Sequence, residues 1–438
     1  MKTRRIFENH FSEENLRSLF AGKIYFSKSI GLDKTTAAAF EENFKGEVDI
    51  IERKINNSTY HFTTYRQMLI SKGPKKYPRE ISIATVRDRL VLTALNQFLV
   101  SKIGTTICQT PLPQLTIQKI VGAIHTGGFD CYLKFDIEHF YASIDHAILI
   151  KKLRRKLRLK EALYLLTKAI ETPTKGPDKE HSGKTKRNVG TPEGIPISNT
   201  LANIYLQDID SYWGGRSDLC YYRYVDDILI LCHQEDAESI KALLTKQIRK
   251  LRLKFNNKTE NGSLNHTFTY LGYKFSDSKV GVRESSVLHL EKNLETIFSK
   301  SQRDSGKDLS ALQLWKLNLR ITGFVVGGNK YGWLFYFSQL DDLQLLSHLD
   351  WLIQRLFRRY GYNNSNQVKR FRRAFYEIRY NLHHTRYVPN FDNYTFDQKR
   401  NLLIQLGITF HSDNIEDVFH KLIIKAAAEL EKDVQSFS

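Results

Sequence analysis

Apolar residues recur along the chain with two different periods, and the switches between them lay out the elements. Between residues 87 and 103 they fall at Leu90, Val91, Ala94, Leu95, Phe98 and Leu99, one face of a helix. The run from Tyr132 to Asp136 reads as a strand. Asp145 stands where a helix cap is needed, ahead of inward Ile148, Leu149 and Leu153. Ser198 is placed to cap another helix reaching Asp210, with Leu201, Ile204, Tyr205 and Ile209 inward. Two β-rich runs, 220–224 and 228–232, flank Val225, Asp226 and Asp227 as a hairpin. A helix over 236–252 and a strand pair near 268–275 follow, and beyond about residue 285 the pattern turns mostly helical. The glycines of 323–332 interrupt it. Residues 1–70 read as short helices, while 72–79 and 172–190 read as polar loops. The chain carries no internal repeat and no low-complexity tract.

Composition narrows the class. Of 438 residues, 41% are hydrophobic and 12% aromatic, enough for a sizeable core, which excludes wholesale disorder. Lys and Arg number 66 against 47 Asp and Glu, a net charge of +19 that suits a polyanionic partner, phosphate backbones being the commonest. Cys108, Cys131, Cys220 and Cys232 have no C-x-x-C spacing, which argues against a zinc finger or a disulfide framework. The basic N-terminus lacks the apolar core of a signal peptide, and no apolar run approaches the roughly 20 residues that span a bilayer. A cytoplasmic protein with no membrane partner is expected.

The candidate chemistry lies in two aspartate-tipped runs. Asp226 and Asp227 sit between strongly apolar strands, where a tight turn presents them at the end of a sheet. Alone, the pair fits an ordinary aspartate turn equally well. Asp136 ends a second apolar strand, and alone it fits a strand-end cap. Neighbouring strands of one sheet would bring all three carboxylates together, and their repulsion calls for cations. Mg²⁺ binds a few carboxylates while keeping positions for substrate phosphates, and two such ions serve nucleotidyl transfer.

These runs resemble the catalytic A and C motifs of reverse transcriptases, the second with a Tyr-Val-Asp-Asp box at 224–227. The stretch from Gly190 through Glu193 and Gly194 to Leu206 is similar to motif B. The stretch from Leu251 to Lys258 and Thr259 is similar to motif D, and Tyr270, Leu271 and Gly272 to the primer-grip motif E. Residues 79–89 resemble the fingers segment of group II intron and retron enzymes. The order holds over roughly residues 70–280. The resemblance implies an α+β right-hand polymerase, with an N-terminal extension and fingers over 1–125, palm over 126–283 and a helical thumb with a C-terminal basic extension over 284–438. It makes Asp136, Asp226 and Asp227 catalytic and metal-binding, with the Ile137 carbonyl completing a site for two Mg²⁺ ions, Mn²⁺ being the alternative. Tyr141 becomes a steric gate against a ribose 2′-hydroxyl. Arg79, assisted by Lys75 or Lys76, would hold the triphosphate, and Lys258 would act near the pyrophosphate. Each of the lysines fits a solvated surface as well. One departure stands out: Glu193 precedes Gly194 where the family has glutamine, putting an acid beside template base and nucleotide.

The tail after motif E reads as thumb and helices rather than as an RNase H or HNH nuclease. The retron Val-Thr-Gly and Asn-Ala-x-x-His signatures do not stand in their places, Ile321-Thr322-Gly323 lying about fifty positions late. The layout resembles the bacterial "unknown group" reverse transcriptases, several of which act in antiphage defence with a dedicated noncoding RNA. Expected partners are therefore a structured RNA template, a DNA or RNA primer and dNTPs, with a homo-oligomer or an accessory defence protein also open. The basic helix holding Lys152 and Arg155, and the run holding Arg358, Arg359, Arg372 and Arg373, are candidate phosphate contacts; a solvated helical face is the other reading. Tyr376, Tyr380, Tyr387 and Tyr394 are interleaved with basic residues, as base-stacking groups would be, although a helical core would hold them equally well. His383 and His384 read as structural. Template-independent or protein-primed synthesis, a group II intron or retron-type enzyme, and a pseudo-polymerase RNA scaffold are the competing functions. The scaffold has no use for three clustered aspartates.

Overall fold

The computed structural model describes residues 2–25, 27–71, 77–176, 187–257, 259–276, 279–301, 306–411 and 414–434. Contacts divide the chain into one unit of Met1–Pro111 with Phe129–Gly262 and another of Leu112–Gly128 with Ser263–Ser438. The architecture is α+β, as the alternation of periods predicts, with sheets that are almost wholly antiparallel.

Two sheets build the first unit. Strands β1 (Tyr65–Ile70) and β2 (Arg79–Ile83) pair antiparallel, and the short β4 (Thr174–Lys175) joins β1 in parallel. The second sheet has the order β5-β6-β3-β7, from β3 (Cys131–Asp136), β5 (Cys220–Tyr224), β6 (Asp227–Cys232) and β7 (Glu260–Ser263). Ile228 to Cys232 are fully buried without alternation, as a strand covered on both faces requires. Helix Val86–Ile103 is capped by Thr85, which accepts from the Asp88 amide at 3.1 Å. Leu92 is as buried as the predicted apolar face, so this helix is enclosed around most of its circumference. Asp145 caps helix His146–Lys156 as its position predicts, accepting from the Ile148 amide at 3.0 Å. Ser198 does not cap: helix Ser198–Gly214 begins with it, and its hydroxyl donates to the Pro192 carbonyl instead.

The second unit holds the sheet β8 (Phe268–Tyr270), β9 (Tyr273–Ser276) and β10 (Lys279–Val282), and a hairpin of β11 (Phe324–Val326) with β12 (Asn329–Tyr331). Around them are the helices Glu284–Ser301, Ala311–Thr322, Leu343–Tyr360, Phe371–Tyr380 and Ile415–Val434. The packing boundary thus falls before the β8–β10 sheet, whereas the motif-based division places it after residue 283. The physical reason is aromatic. Tyr273 packs against Phe337 with ring centres 4.9 Å apart, and the Tyr336 hydroxyl donates to the Leu271 carbonyl at 3.1 Å. The glycine-rich apolar segment is core: Trp333, Leu334 and Phe337 are fully buried. Gly323, at φ +63°, lies so close to Tyr331 and Phe335 that a side chain there would collide with both. No helix among the described residues is long and apolar enough to cross a membrane.

Candidate active site

Three strand ends place the acidic residues. In the β3–β6 ladder Asp136 lies opposite Asp227, so the two side chains leave the same face of the sheet. Tyr224 pairs with Asp227 across β5 and β6, leaving Val225 and Asp226 as a two-residue turn. Val225 adopts φ +57°, a left-handed conformation that costs a β-branched residue roughly 1–2 kcal/mol. Ile137 donates from its amide to the Asp226 carbonyl at 3.2 Å, tying the end of β3 to that turn. Burial, and then the charge of Asp136, push the Asp226 carboxyl up to about 6.

The donor chemistry suits a hard divalent cation, because a part-buried carboxylate pair at close quarters gains most from one. Among the described residues no group of three or more His, Cys, Asp or Glu side chains is already drawn together around a metal position. One contact bears on that: Asn256 donates from its side-chain amide to Asp136 Oδ2, and from its backbone at 2.9 Å to the Asp136 carbonyl. The Ile137–Phe255 bridge is made by Asn256 with Asp136 and by Glu138 with Lys254, so neither of its bonds uses the Ile137 carbonyl.

Tyr141 follows β3 through a tight turn, with His139 at φ +45°, on the short helix Phe140–Ser143. Burial, together with the charges of Asp226 and Glu193, raises its phenol to about 12, so the ring stays neutral beside the carboxylates. The loop 190–194 is stitched both to Tyr141 and to strand β2. Its Thr191 amide donates to the Tyr141 carbonyl at 2.8 Å, and the Ser82 amide of β2 donates to the Glu193 carbonyl at 2.6 Å. Gly194, at φ +97°, lies against Ile81 and Ser82 so closely that a Cβ would collide with Ile81. Arg79 donates from Nε to Glu193 Oε1 at 2.7 Å, and that bond raises its own pKa further. The departure at position 193 therefore has a partner in the fingers arginine.

Arg223 is a functional candidate that the motif reading passed over. Its guanidinium donates to the Val225 carbonyl at 2.8 Å, to Asn203 at 3.2 Å and to Asp210 at 2.7 Å, and so holds the aspartate turn from behind. An arginine alternating with tyrosines in an apolar strand was the available signal. Asn256 left a fainter one, two positions before the motif D lysine.

The remaining candidates scatter. Lys75, Lys76 and Lys258 lie outside the described residues. Lys152, expected among the phosphate contacts, is instead buried: it donates to the Tyr205 carbonyl at 2.6 Å and meets Asp208 at 3.0 Å. The helix turns this one lysine inward while Arg155 stays exposed. In the second unit the Tyr270–Gly272 segment forms a hairpin turn, Leu271 at φ +48° and Gly272 at φ +78°, with the Tyr270 and Leu271 side chains buried. Arg358, Arg359, Arg372 and Arg373 are exposed, Arg359 pairing with Glu295 at 2.8 Å. Tyr376 and Tyr380 are exposed, whereas Tyr394 packs on Phe391 and Phe419 in a core cluster, and Tyr387 accepts the Arg370 amide at 2.6 Å.

Comparison with known proteins adds the following. The reverse transcriptase (RNA-dependent DNA polymerase) family profile matches residues 70–275. The group II intron-encoded protein LtrA of Lactococcus lactis subsp. cremoris is 28% identical over 201 residues, covering 45% of this chain and 32% of the relative. Protein YkfC of Escherichia coli (strain K12) is 22% identical over 347 residues, 68% of this chain and 87% of the relative. The chain thus spans about a third of the length of the LtrA protein it matches. Among solved structures, the telomerase of Candida albicans in complex with a fragment of telomeric RNA aligns over 92% of this chain and 69% of its own, at a TM-score of 0.45 and 13% identity.

Proposed function

We propose that this chain, whose residues 70–275 form a reverse transcriptase domain, is an RNA-directed DNA polymerase. The observation that carries the reading is the convergence of Asp136, Asp226 and Asp227 on one sheet end, with Tyr141 and Arg79 electrostatically coupled to Asp226.

In this reading Asp136 and Asp226, with Asp227 beside them, hold divalent ions, Mg²⁺ by donor type. When bound, those ions neutralise the triphosphate and favour the ionised primer 3′-hydroxyl. Every other part belongs to the chain. Arg79 exchanges its carboxylate partner for phosphate oxygens, which fit a guanidinium in the same way. The Tyr141 ring fills the space a ribose 2′-hydroxyl would need. The loop 190–194, bonded to β2 and to Tyr141, holds the walls of the pocket in register.

The template in this reading is a dedicated structured noncoding RNA, and the setting is antiphage defence in a bacterial cytoplasm; the motif layout and the basic helical tail support it. The identity to a group II intron-encoded protein favours a second reading, an enzyme of group II intron type. The test of polymerase activity is extension of a primed RNA template. Asp226→Ala with Asp227→Ala should abolish dNTP incorporation while RNA affinity stays within a few-fold, and undiminished synthesis would refute the assignment. Sequencing nucleic acid that co-purifies with wild type and with the double variant separates the two settings: a discrete noncoding RNA supports the first, intron RNA the second.

A further inference from the structure

Helices Leu343–Tyr360 and Phe371–Tyr380 pack together and leave a cleft of about 710 Å³ on one side. The buried faces follow from spacing: Leu346, Leu349, Ile353, Leu356 and Phe357 on the first helix, Phe371, Ala374, Phe375 and Ile378 on the second. The cleft side follows from the same periods and is unusual in composition. Of the rings lining it, Trp351 is 48% exposed and Tyr376 41%; Tyr380, stacked on Tyr376 just beyond the lining, is 72% exposed. Arg355 lies 5.2 Å from the Trp351 ring, and Tyr376 and Tyr380 stack at 6.1 Å with 25° between their planes. Lys369, Arg370, Arg372 and Arg373 line the cleft with only two carboxylates, Asp350 and Glu377.

Both carboxylates are already engaged. Asp350 accepts from the Phe371 and Arg372 amides at 2.6 and 3.3 Å, so its charge serves the N-terminus of the second helix. Glu377 accepts from Asn381 at 2.8 Å and faces Arg373 at 3.6 Å. What remains is Arg370 and Arg372, with Arg355 over the Trp351 ring, beside large exposed rings, a pairing that neither a solvated face nor a core explains.

We propose that this cleft binds an unpaired stretch of nucleic acid, with bases on Trp351, Tyr376 and Tyr380 and phosphates on the flanking arginines. Stacking needs exposed base faces, which a duplex keeps to itself, and guanidinium groups supply the matching backbone contacts. The site lies within the second unit and does not depend on the polymerase reading. A chain that failed the primed-template test would still bind here.

Trp351 also supplies the readout. Trp213 and Trp333 are fully buried and Trp315 packs against a core cluster, so binding in the cleft acts on the one exposed indole. The full chain is titrated, without dNTPs, with short oligo(U), oligo(dT), a blunt duplex and poly-glutamate, following tryptophan fluorescence and, separately, anisotropy of a labelled strand. Single strands should quench the indole and bind about tenfold tighter than duplex, and Tyr376→Leu should weaken them by a comparable factor. Trp351→Leu should abolish the quenching. Arg372→Ala with Arg373→Ala should flatten the salt dependence by roughly 1.4 in slope, at about 0.7 per phosphate contact. Preference for oligo(U) or oligo(dT) assigns the strand to RNA or DNA, and either supports the site. Wild-type binding by both Trp351→Leu and Tyr380→Leu, equal quenching by duplex, or equal competition by poly-glutamate would overturn it.

Discussion

The Arg79 guanidinium donates through Nε and a terminal nitrogen to a single carboxylate oxygen of Glu193, joining β2 to the loop before helix Ser198–Gly214. In this arrangement the cation that the polymerase reading gives to the triphosphate is held by an internal acid. In that reading a nucleotide would have to displace the acid, leaving the carboxylate near Asp226, whose proton affinity it already raises. Glu193→Gln keeps an acceptor and removes the charge. Charged hydrogen bonds contribute about 1.5–3 kcal/mol, and this part-exposed pair less, so the KM for dNTP should fall roughly three- to tenfold with kcat little changed. An unchanged KM in steady-state extension would mean that the bond only braces the fold.

Tyr141 offers a sharper selectivity test. Its ring lies beside Asp226 and Glu193, and its carbonyl is held by Thr191, so the backbone position survives truncation. Tyr141→Val should raise the ratio of ribonucleotide to deoxynucleotide incorporation by about tenfold or more, the range that pocket shape controls. If the ratio stays constant while activity falls, Tyr141 is a packing residue.

Arg223 is a positioning residue, acting through the turn rather than on substrate. Arg223→Met removes the bonds to Val225, Asn203 and Asp210, while the Tyr221 hydroxyl still donates to Asp210 at 2.9 Å. Losing such a buried donor costs about 1–3 kcal/mol of stability. A drop in kcat with KM for dNTP preserved, partly restored in Arg223→Lys, would mark the turn as its target. Parallel loss of thermal stability with kcat unaltered would reduce it to a structural brace.

Much of this is legible in the amino-acid sequence alone. The aspartate register follows from two apolar strands with acidic ends, because period-two patterning fixes which residues share a face. The Asp145 cap follows from its place before a helical period. Ser198 misled because a serine ahead of an apolar run looks the same whether it accepts an amide or donates to the Pro192 carbonyl. Lys152 misled for a related reason: composition marks the helix as basic but does not say which lysine rotates inward onto Tyr205. Strand β1 is hidden because its C-terminal half carries exposed Met68, Leu69 and Ile70, which read as helix-compatible apolar residues. Trp351 gives no sequence signal as a cleft residue because Arg372, Arg373 and Tyr376, which close the other side of the cleft, stand on the next helix.

Lys369 makes the cleft sensitive to pH. Burial, and then the neighbouring Arg373 charge, bring its ammonium down to about 8, and its Nζ donates to the Tyr387 carbonyl at 2.6 Å. Arg373 acts on it electrostatically and the Tyr387 ring lies against it, and the other charged groups lining the cleft are Asp350 from helix Leu343–Tyr360 and Arg370, Arg372 and Glu377 around helix Phe371–Tyr380. Below about 8 the group is charged and favours a bound phosphate; above it that charge is lost. Affinity for a single strand should therefore fall between pH 7 and pH 9, with the salt slope shallower by about 0.7 at the higher pH. Stability moves the opposite way. From about 8 to the ordinary lysine value of 10.5 the folded chain binds fewer protons than the unfolded one, so this group's contribution grows more favourable as pH rises through that window. Lys369→Met should remove both trends together. Persistence of the affinity trend in that variant would move the titrating group elsewhere, and its absence in wild type would leave Lys369 a half-buried bond to Tyr387 and nothing more.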